Sequence, residues 1–259
     1  MKDIFPQGSA WIDGKFVKLS EAKIPILDWG FLRSDATYDV VHVWKGKFFQ
    51  LDKHIDRFFR STEKLRMPCK LSRDELKKIL AGCVKKAKLN DAYVEMIQTR
   101  GMSPGFVRDP RKATPRVMAF AVPFGWILKP EDFEKGLDVL LTDIKRIPPS
   151  SVDPTIKNYH WMDLVTGMLD AYEQGHQTAI LIDENNNISE GPGFNIFSID
   201  IGFAFTSNPN SFDKLITVCL VIPSNTPWSG VFIPDLSTEK ILNPGPSEIL
   251  LFSSTNIAV

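Results

Sequence analysis

Two short turns, Asp13-Gly14 and Lys45-Gly46, each set between apolar-rich runs, constrain this chain more than any other feature. A two-residue turn ending in glycine accepts the left-handed backbone that folds a strand back on itself as an antiparallel hairpin. Ala10-Trp11-Ile12 and Lys15-Phe16-Val17 flank the first turn, and residues 36–44 and Lys47-Phe48-Phe49 flank the second. The N-terminal part is therefore expected to contain two antiparallel hairpins.

Helices should follow. Residues 51–65 place Ile55, Phe58, Phe59 and Leu65 at helical spacing, with Asp52 near the start. Residues 72–87 read as a second helix, and Ser72 and Glu75 have the spacing of a capping box. Strands are expected at 93–99, 116–122 and 137–141, with a breaker-rich loop from Gly101 to Pro110 between the first two. Residues 159–174 read as a helix that stops near Gly175, and 178–182 and 187–199 as strands around an Asn-rich turn. The organisation is α+β, with domains expected over 1–125 and 126–259. After about residue 200 the texture changes. Pro209, Pro223, Pro227, Pro234, Pro244 and Pro246 interrupt every candidate helix, and the apolar runs 216–222 and 249–252 are candidates only for strands.

Composition narrows the function classes. The chain has 259 residues, 31 Lys plus Arg against 31 Asp plus Glu, and so no general field for nucleic acid or an anionic membrane. No run approaches the roughly 20 apolar residues of a membrane span. The start, Met1-Lys2-Asp3-Ile4-Phe5-Pro6, lacks the apolar stretch of a signal peptide. Cys69, Cys83 and Cys219 have neither metal-type spacing nor the pattern of a disulfide framework. A soluble, cytoplasmic protein is expected. His42, His54 and His160 show no spacing for a metal or a nucleophilic triad.

Two segments carry chemistry. Lys157 sits in Asp153-Pro154-Thr155-Ile156-Lys157-Asn158-Tyr159-His160-Trp161, and Glu190 in Ile188-Ser189-Glu190-Gly191-Pro192-Gly193-Phe194-Asn195-Ile196-Phe197. A lysine can form a Schiff base, and an acid can hold a protonated pyridine nitrogen; pyridoxal phosphate chemistry needs both on one ring. In isolation Lys157 would be a surface lysine and Glu190 an ordinary turn acid, so the flanking residues decide.

Residues from about 9 to 199 resemble the class IV aminotransferases, the fold-type IV pyridoxal phosphate enzymes. The likeness rests on Ile24-Pro25-Ile26-Leu27-Asp28-Trp29-Gly30-Phe31, on Ser34-Asp35-Ala36-Thr37-Tyr38-Asp39-Val40, and on the segment that leads to Lys157-Asn158. Its flavour is that of the (R)-selective amine transaminases, beside the D-amino-acid and branched-chain aminotransferases. The resemblance implies a two-domain α+β fold, pyridoxal 5'-phosphate as cofactor, an amine or amino acid and a keto acid as substrates, and a homodimer. Lys157 matches the Schiff-base lysine, Glu190 the acid beneath the ring nitrogen, and Arg57, in His54-Ile55-Asp56-Arg57-Phe58, the phosphate-binding arginine. Phe194 and Asn195 match positions that line the cofactor. Tyr38, Val40 and Trp161 match substrate-pocket positions, with plain core packing as the alternative. Arg33 stands where the amine transaminase pattern usually has histidine; it is either a carboxylate-recruiting cation or an exposed charge. Arg108 lies in the loop where that branch carries a mobile arginine.

The resemblance stops after Ile199. The Gly-Val-Thr/Ser-Arg segment, which in the family holds the phosphate on backbone N–H groups, does not occur in this sequence. Ser254 and Thr255 faintly match a later phosphate-contacting turn. The C-terminal domain is thus expected to be incomplete or divergent, and cofactor affinity to be weakened. The expected function is a pyridoxal phosphate-dependent transaminase. The alternatives are a lyase of the same fold, or a catalytically inactive relative that serves as a binding or dimerising module.

Overall fold

A computed structural model describes residues 4–129, 131, 136–200, 217–223 and 251–252. They divide into two compact units. The described residues of Met1–Gly125 and Asp153–His160 form the first, and those of Trp126–Val152 and Trp161–Val259 the second.

In the first unit β1 (Ser9–Ile12) and β2 (Lys15–Lys18) form a hairpin. Asp13 (φ 50°) and Gly14 (φ 78°) both adopt the left-handed backbone that its turn requires. β3 (Ala36–Trp44) and β4 (Lys47–Phe48) repeat the device around Lys45 and Gly46. β5 (Ala92–Met102) and β6 (Thr114–Pro123) complete a six-stranded antiparallel sheet in the order β2-β1-β6-β5-β3-β4.

Strand alternation sorts the side chains. Val41, Val43, Val94, Met96, Ala119 and Ala121 pack beneath two helices, α2 (Leu51–Lys64) and α3 (Arg73–Ala87). The helices return Ile55, Phe58, Leu76, Leu80 and Cys83 to the same core. Each such large side chain, fully buried, contributes about 1.5–3 kcal/mol before the opposing entropy. Burial also pushes the Cys83 thiol up to about 12, so it stays unreactive. α3 opens with the expected capping box: Ser72 Oγ accepts from Glu75 N at 3.2 Å, and Ser72 N donates to Glu75 Oε2 at 2.7 Å. The alternate positions, Tyr38, Val40 and His42 on β3 with Tyr93 and Glu95 on β5, belong to the opposite face; Val40 lies in register with Glu95 and His42 with Tyr93.

The short helix α1 (Trp29–Arg33) had no counterpart in the sequence reading. Five residues carry no periodicity; the helix exists because Asp28 accepts from Gly30 N at 2.8 Å and from Thr99 Oγ1 at 3.0 Å.

In the second unit β7 (Val139–Lys145) and β8 (Thr178–Ile182) run parallel, with α4 (Met162–Glu173) in their connection. Gly167 permits close approach of α4 to β8, since a Cβ there would lie 3.0 Å from Leu181 Cδ1. β9 (Phe194–Asp200) pairs antiparallel with β10 (Thr217–Pro223), which pairs in parallel with β11 (Leu251–Phe252).

Several boundaries differ from expectation. The helix expected from residue 159 begins at Met162, because Asn158 Oδ1 accepts from His160 N at 2.9 Å and its Nδ2 donates to Ile156 O at 2.9 Å, closing a turn first. The strand expected from 187 begins at Phe194: Asn187 closes a turn on Asp183, and Gly193 takes φ 85°. The strand expected at 137–141 lies at Val139–Lys145, where β8 provides its ladder. Ser254 and Thr255 lie outside the described residues. Among the described residues no helix is long and apolar enough to cross a membrane.

Candidate active site

The short strand β4 pairs only with Val43 and Trp44, which leaves the β3 edge at Thr37 and Tyr38 for the segment Asp153–His160. Thr37 and Asn158 form an antiparallel bridge there. The Lys157 carbonyl accepts from Tyr38 N at 3.1 Å and from Thr37 Oγ1 at 2.6 Å. Upstream, Lys64 of α2 donates to Asp153 at 2.9 Å, and Asp153 Oδ1 accepts from Thr155 N at 2.8 Å. The Thr155 hydroxyl, followed by Lys64, holds the exposed Asp153 carboxyl down to about 2.

The Lys157 side chain is half-buried, with Nζ 4.9 Å from the Tyr38 ring centroid. Tyr38 stacks on Tyr159 at 4.5 Å. Tyr159 donates its hydroxyl to Glu95 Oε1, and Tyr93 donates to Glu95 Oε2 at 2.7 Å. Burial drives the Glu95 carboxyl above its ordinary value, and the two hydroxyls and the Lys157 charge only partly offset it.

Arg57, on α2, is not a solvated helix arginine. Its Nε donates to Asp39 Oδ2 at 2.6 Å and its Nη2 to Asp39 Oδ1 at 2.9 Å. His54 Nδ1 lies 2.9 Å from the same Oδ1. Asp39 is fully buried. Burial alone would raise its carboxyl, but the hydrogen bonds from Arg57 and His54 prevail and hold it below the ordinary range. Val40 and Tyr38 are buried on β3. Arg33 ends α1 with its guanidinium 4.1 Å over the Trp29 ring, and Arg108 is exposed in its loop.

In the second unit Glu190 Oε1 accepts from Arg146 Nε at 2.6 Å. Arg146 Nη1 donates to Asp163 Oδ2 at 2.6 Å, and Asp163 also accepts from Ile147 N at 3.0 Å. The Glu190 carbonyl is held by Leu181 N of β8 at 2.9 Å. Gly191 packs under Phe194, where a Cβ would meet the ring at 1.9 Å. Phe194 itself is buried among Leu128, Leu137, Val139 and Ile180, whereas Asn195 is exposed on β9. Trp161, half-buried just before α4, lies 3.8 Å from where a Gly193 Cβ would stand. No group of three or more potential metal ligands occurs among the described residues.

The family model for amino-transferase class IV matches residues 36–212. The chain belongs to the class IV aminotransferases. It is 28% identical over 203 residues to the branched-chain-amino-acid aminotransferase of Escherichia coli, covering 76% of this chain and 65% of that protein. It is 26% identical over 208 residues to the D-alanine aminotransferase of Staphylococcus epidermidis, covering 78% and 70%. The chain thus spans about 65% of the length of the branched-chain relatives it matches. The crystal structure of the Escherichia coli branched-chain enzyme superposes with a TM-score of 0.70 at 22% identity, over 85% of this chain and 70% of that one. A branched-chain aminotransferase from the thermophilic archaeon Thermoproteus uzoniensis, solved with norvaline, gives 0.68 at 22%, over 82% and 67%. The α+β, fold-type IV architecture expected from the sequence is the one observed.

In this class IV chain, five polar partners of the candidate residues escaped the sequence reading: Asp39, Glu95 and Tyr159 in the first unit, and Arg146 and Asp163 in the second. Asp39 had a detectable signal. An acid between Tyr38 and Val40 on an apolar strand needs a cation, and His54 and Arg57 stand three apart on the next helix. Glu95 and Arg146 had none, since the partners that tie them to the candidate segments, Tyr159 and Glu190, lie 64 and 44 residues away.

Proposed function

We propose that this chain is a pyridoxal 5'-phosphate-dependent transaminase, moving an amino group between an amine or amino acid and a keto acid. The observation that carries the reading is the seating of Lys157 on the β3 edge, where its carbonyl is tied by two donors and its amine stands against Tyr38. The residues present suit the cofactor, and a structural neighbour at a TM-score of 0.70, also a branched-chain amino acid aminotransferase, was solved with pyridoxamine 5'-phosphate. Lys157 is the amine for the aldehyde. Arg57, oriented by a buried carboxylate, keeps further N–H donors for a phosphate. Glu190, in hydrogen-bond contact with Arg146, is a carboxylate for the ring nitrogen, and Gly193 leaves room for a flat ring. Phe194 and Asn195 are proposed to line the cofactor, Phe194 from within the core.

When bound, the cofactor supplies an electron-accepting ring that stabilises negative charge at the substrate carbon. The chain does the rest. With the cofactor bound, the Lys157 amine would hold it and, once released, would take up and return a proton at the substrate carbon. Tyr38 and Val40 in the first unit, and Trp161 in the second, are aromatic and apolar side chains suited to an uncharged substituent, and Arg33 and Arg108 are candidates for a substrate carboxylate. We further propose domains over 1–125 and 126–259, a cytoplasmic location and a homodimer, in line with the family.

A visible absorption band on saturation with pyridoxal phosphate, abolished in Lys157→Ala, is the expected result; no band would overturn the reading. Pyruvate-dependent conversion of a chiral amine, D-alanine or a branched-chain amino acid then identifies transamination over lyase chemistry. The missing Gly-Val-Thr/Ser-Arg segment favours one second reading, an inactive relative that binds or dimerises. That reading predicts no band.

A further inference from the structure

Glu95 is a carboxylate only 6% exposed, on the face of the sheet opposite α2 and α3. A buried charge persists only when donors replace its water. The Tyr93 and Tyr159 hydroxyls supply them, one to each carboxylate oxygen. Tyr93 comes from the same strand, two residues away. Tyr159 comes from 64 residues along the chain and stands two residues after Lys157. The Lys157 segment is thereby tied at two points, by the Lys157 carbonyl to β3 and by the Tyr159 hydroxyl to β5. Tyr38 fills the space between them, stacked on Tyr159 and facing the Lys157 amine.

We propose that Glu95 is a positioning residue for Lys157: through Tyr159 it anchors the lysine's segment to the sheet, and its carboxylate is the counter-charge of the lysine ammonium. The role of Lys157 in this inference rests on the proposed function; the anchor itself does not. Among the described residues, Tyr38 faces the Lys157 amine, and the ionisable groups that act on Glu95 are Tyr93, Tyr159, Asp39 and Lys157, with Arg57 on α2 bonded to Asp39. Asp39 is already paired with Arg57 and hydrogen-bonded to His54, while among the described residues Glu95 is hydrogen-bonded by the two tyrosine hydroxyls. Burial raises the proton affinity of the Glu95 carboxyl, and the Lys157 charge pulls it back in part.

The test uses the full chain, wild type beside Glu95→Gln, Tyr159→Phe and Tyr93→Phe. In the cofactor-free protein, Lys157 is labelled with acetic anhydride across a pH series and read by peptide mass spectrometry. Removal of a nearby anion favours the neutral amine, so Glu95→Gln should label about tenfold faster below the midpoint, a downward shift of about one pH unit. Tyr159→Phe should speed amide exchange at Tyr38 and across 153–160, while Tyr93→Phe leaves that exchange as in the wild type. An unchanged Lys157 labelling profile in Glu95→Gln overturns the counter-charge, and unchanged exchange in Tyr159→Phe overturns the anchor, even if pyridoxal phosphate gives its visible band. A shifted labelling profile with no band in the wild type sinks the transaminase reading and leaves the anchor standing.

Discussion

Asp39 and Glu95 are buried carboxylates on opposite faces of one sheet, and the protein treats them in opposite ways. Asp39, on the helix-covered face, meets a guanidinium through two N–H donors within 3 Å, with His54 on the same oxygen. Its proton affinity falls below the ordinary range. Glu95 meets two neutral hydroxyls and feels a more distant lysine, and its proton affinity rises. Burial acts on both; only a full charge in hydrogen-bond contact outweighs it. Asp39 is thus a permanent charge that orients Arg57, and Glu95 a charge kept responsive beside Lys157.

The largest expected effect is from Asp39→Ala. It leaves the Arg57 cation without its acceptor, and equilibrium denaturation should show a loss of about 2–3 kcal/mol, moderated because part of the guanidinium is wet. A loss below about 0.5 kcal/mol would mean that the pair does not hold the helix to the sheet. In the second unit, Arg146→Met should cost about 1–2 kcal/mol by leaving Glu190 and Asp163 facing each other without their cation. No loss there would break the parallel with Asp39.

A pH series separates the two carboxylates by sign. Asp39 has a lowered folded value, so its stabilisation is present above about pH 4 and disappears as pH falls through that value. The stability gap between wild type and Asp39→Asn should therefore shrink from about pH 5 towards about pH 2, on the order of the shift from the ordinary value. Glu95 has a raised folded value, so its contribution is present below about pH 4 and is lost as pH rises through the folded value. Glu95→Gln should accordingly look worse relative to wild type at about pH 4 than at about pH 8. Parallel slopes for the two variants would refute the contrast. The smallest effect is expected of His54→Gln, about 0.5–1 kcal/mol, since Arg57 keeps its two bonds to Asp39.

Much of the first unit was legible because its signals are local. The hairpin turns at Asp13-Gly14 and Lys45-Gly46 and the Ser72 capping box each span four residues or fewer and appear as read. The five-residue α1 was not legible, since its cap, Asp28, is braced by Thr99, 71 residues away. At the candidate site, motif spacing picked out Lys157, Arg57 and Glu190 as residue types. Their partners were hidden: Asp39 lies 18 residues before Arg57, and Arg146 44 before Glu190. Phe194, read from its motif as a cofactor-lining position, packs within a hydrophobic core, a placement its glycine neighbours did not reveal.

The sequence by itself determined where the hairpins turn, where α2 and α3 begin, and which side chains are candidates for the chemistry. Turn and cap preferences are set by steric and hydrogen-bond terms among near neighbours. Only the tertiary structure decided the electrical state of those side chains: that Arg57 is clasped by Asp39, that Glu190 faces Arg146, and that Glu95 stands with Tyr159 behind the lysine. Desolvation and charge pairing depend on groups far apart in the chain that folding brings within a few ångströms, and no local pattern encodes them.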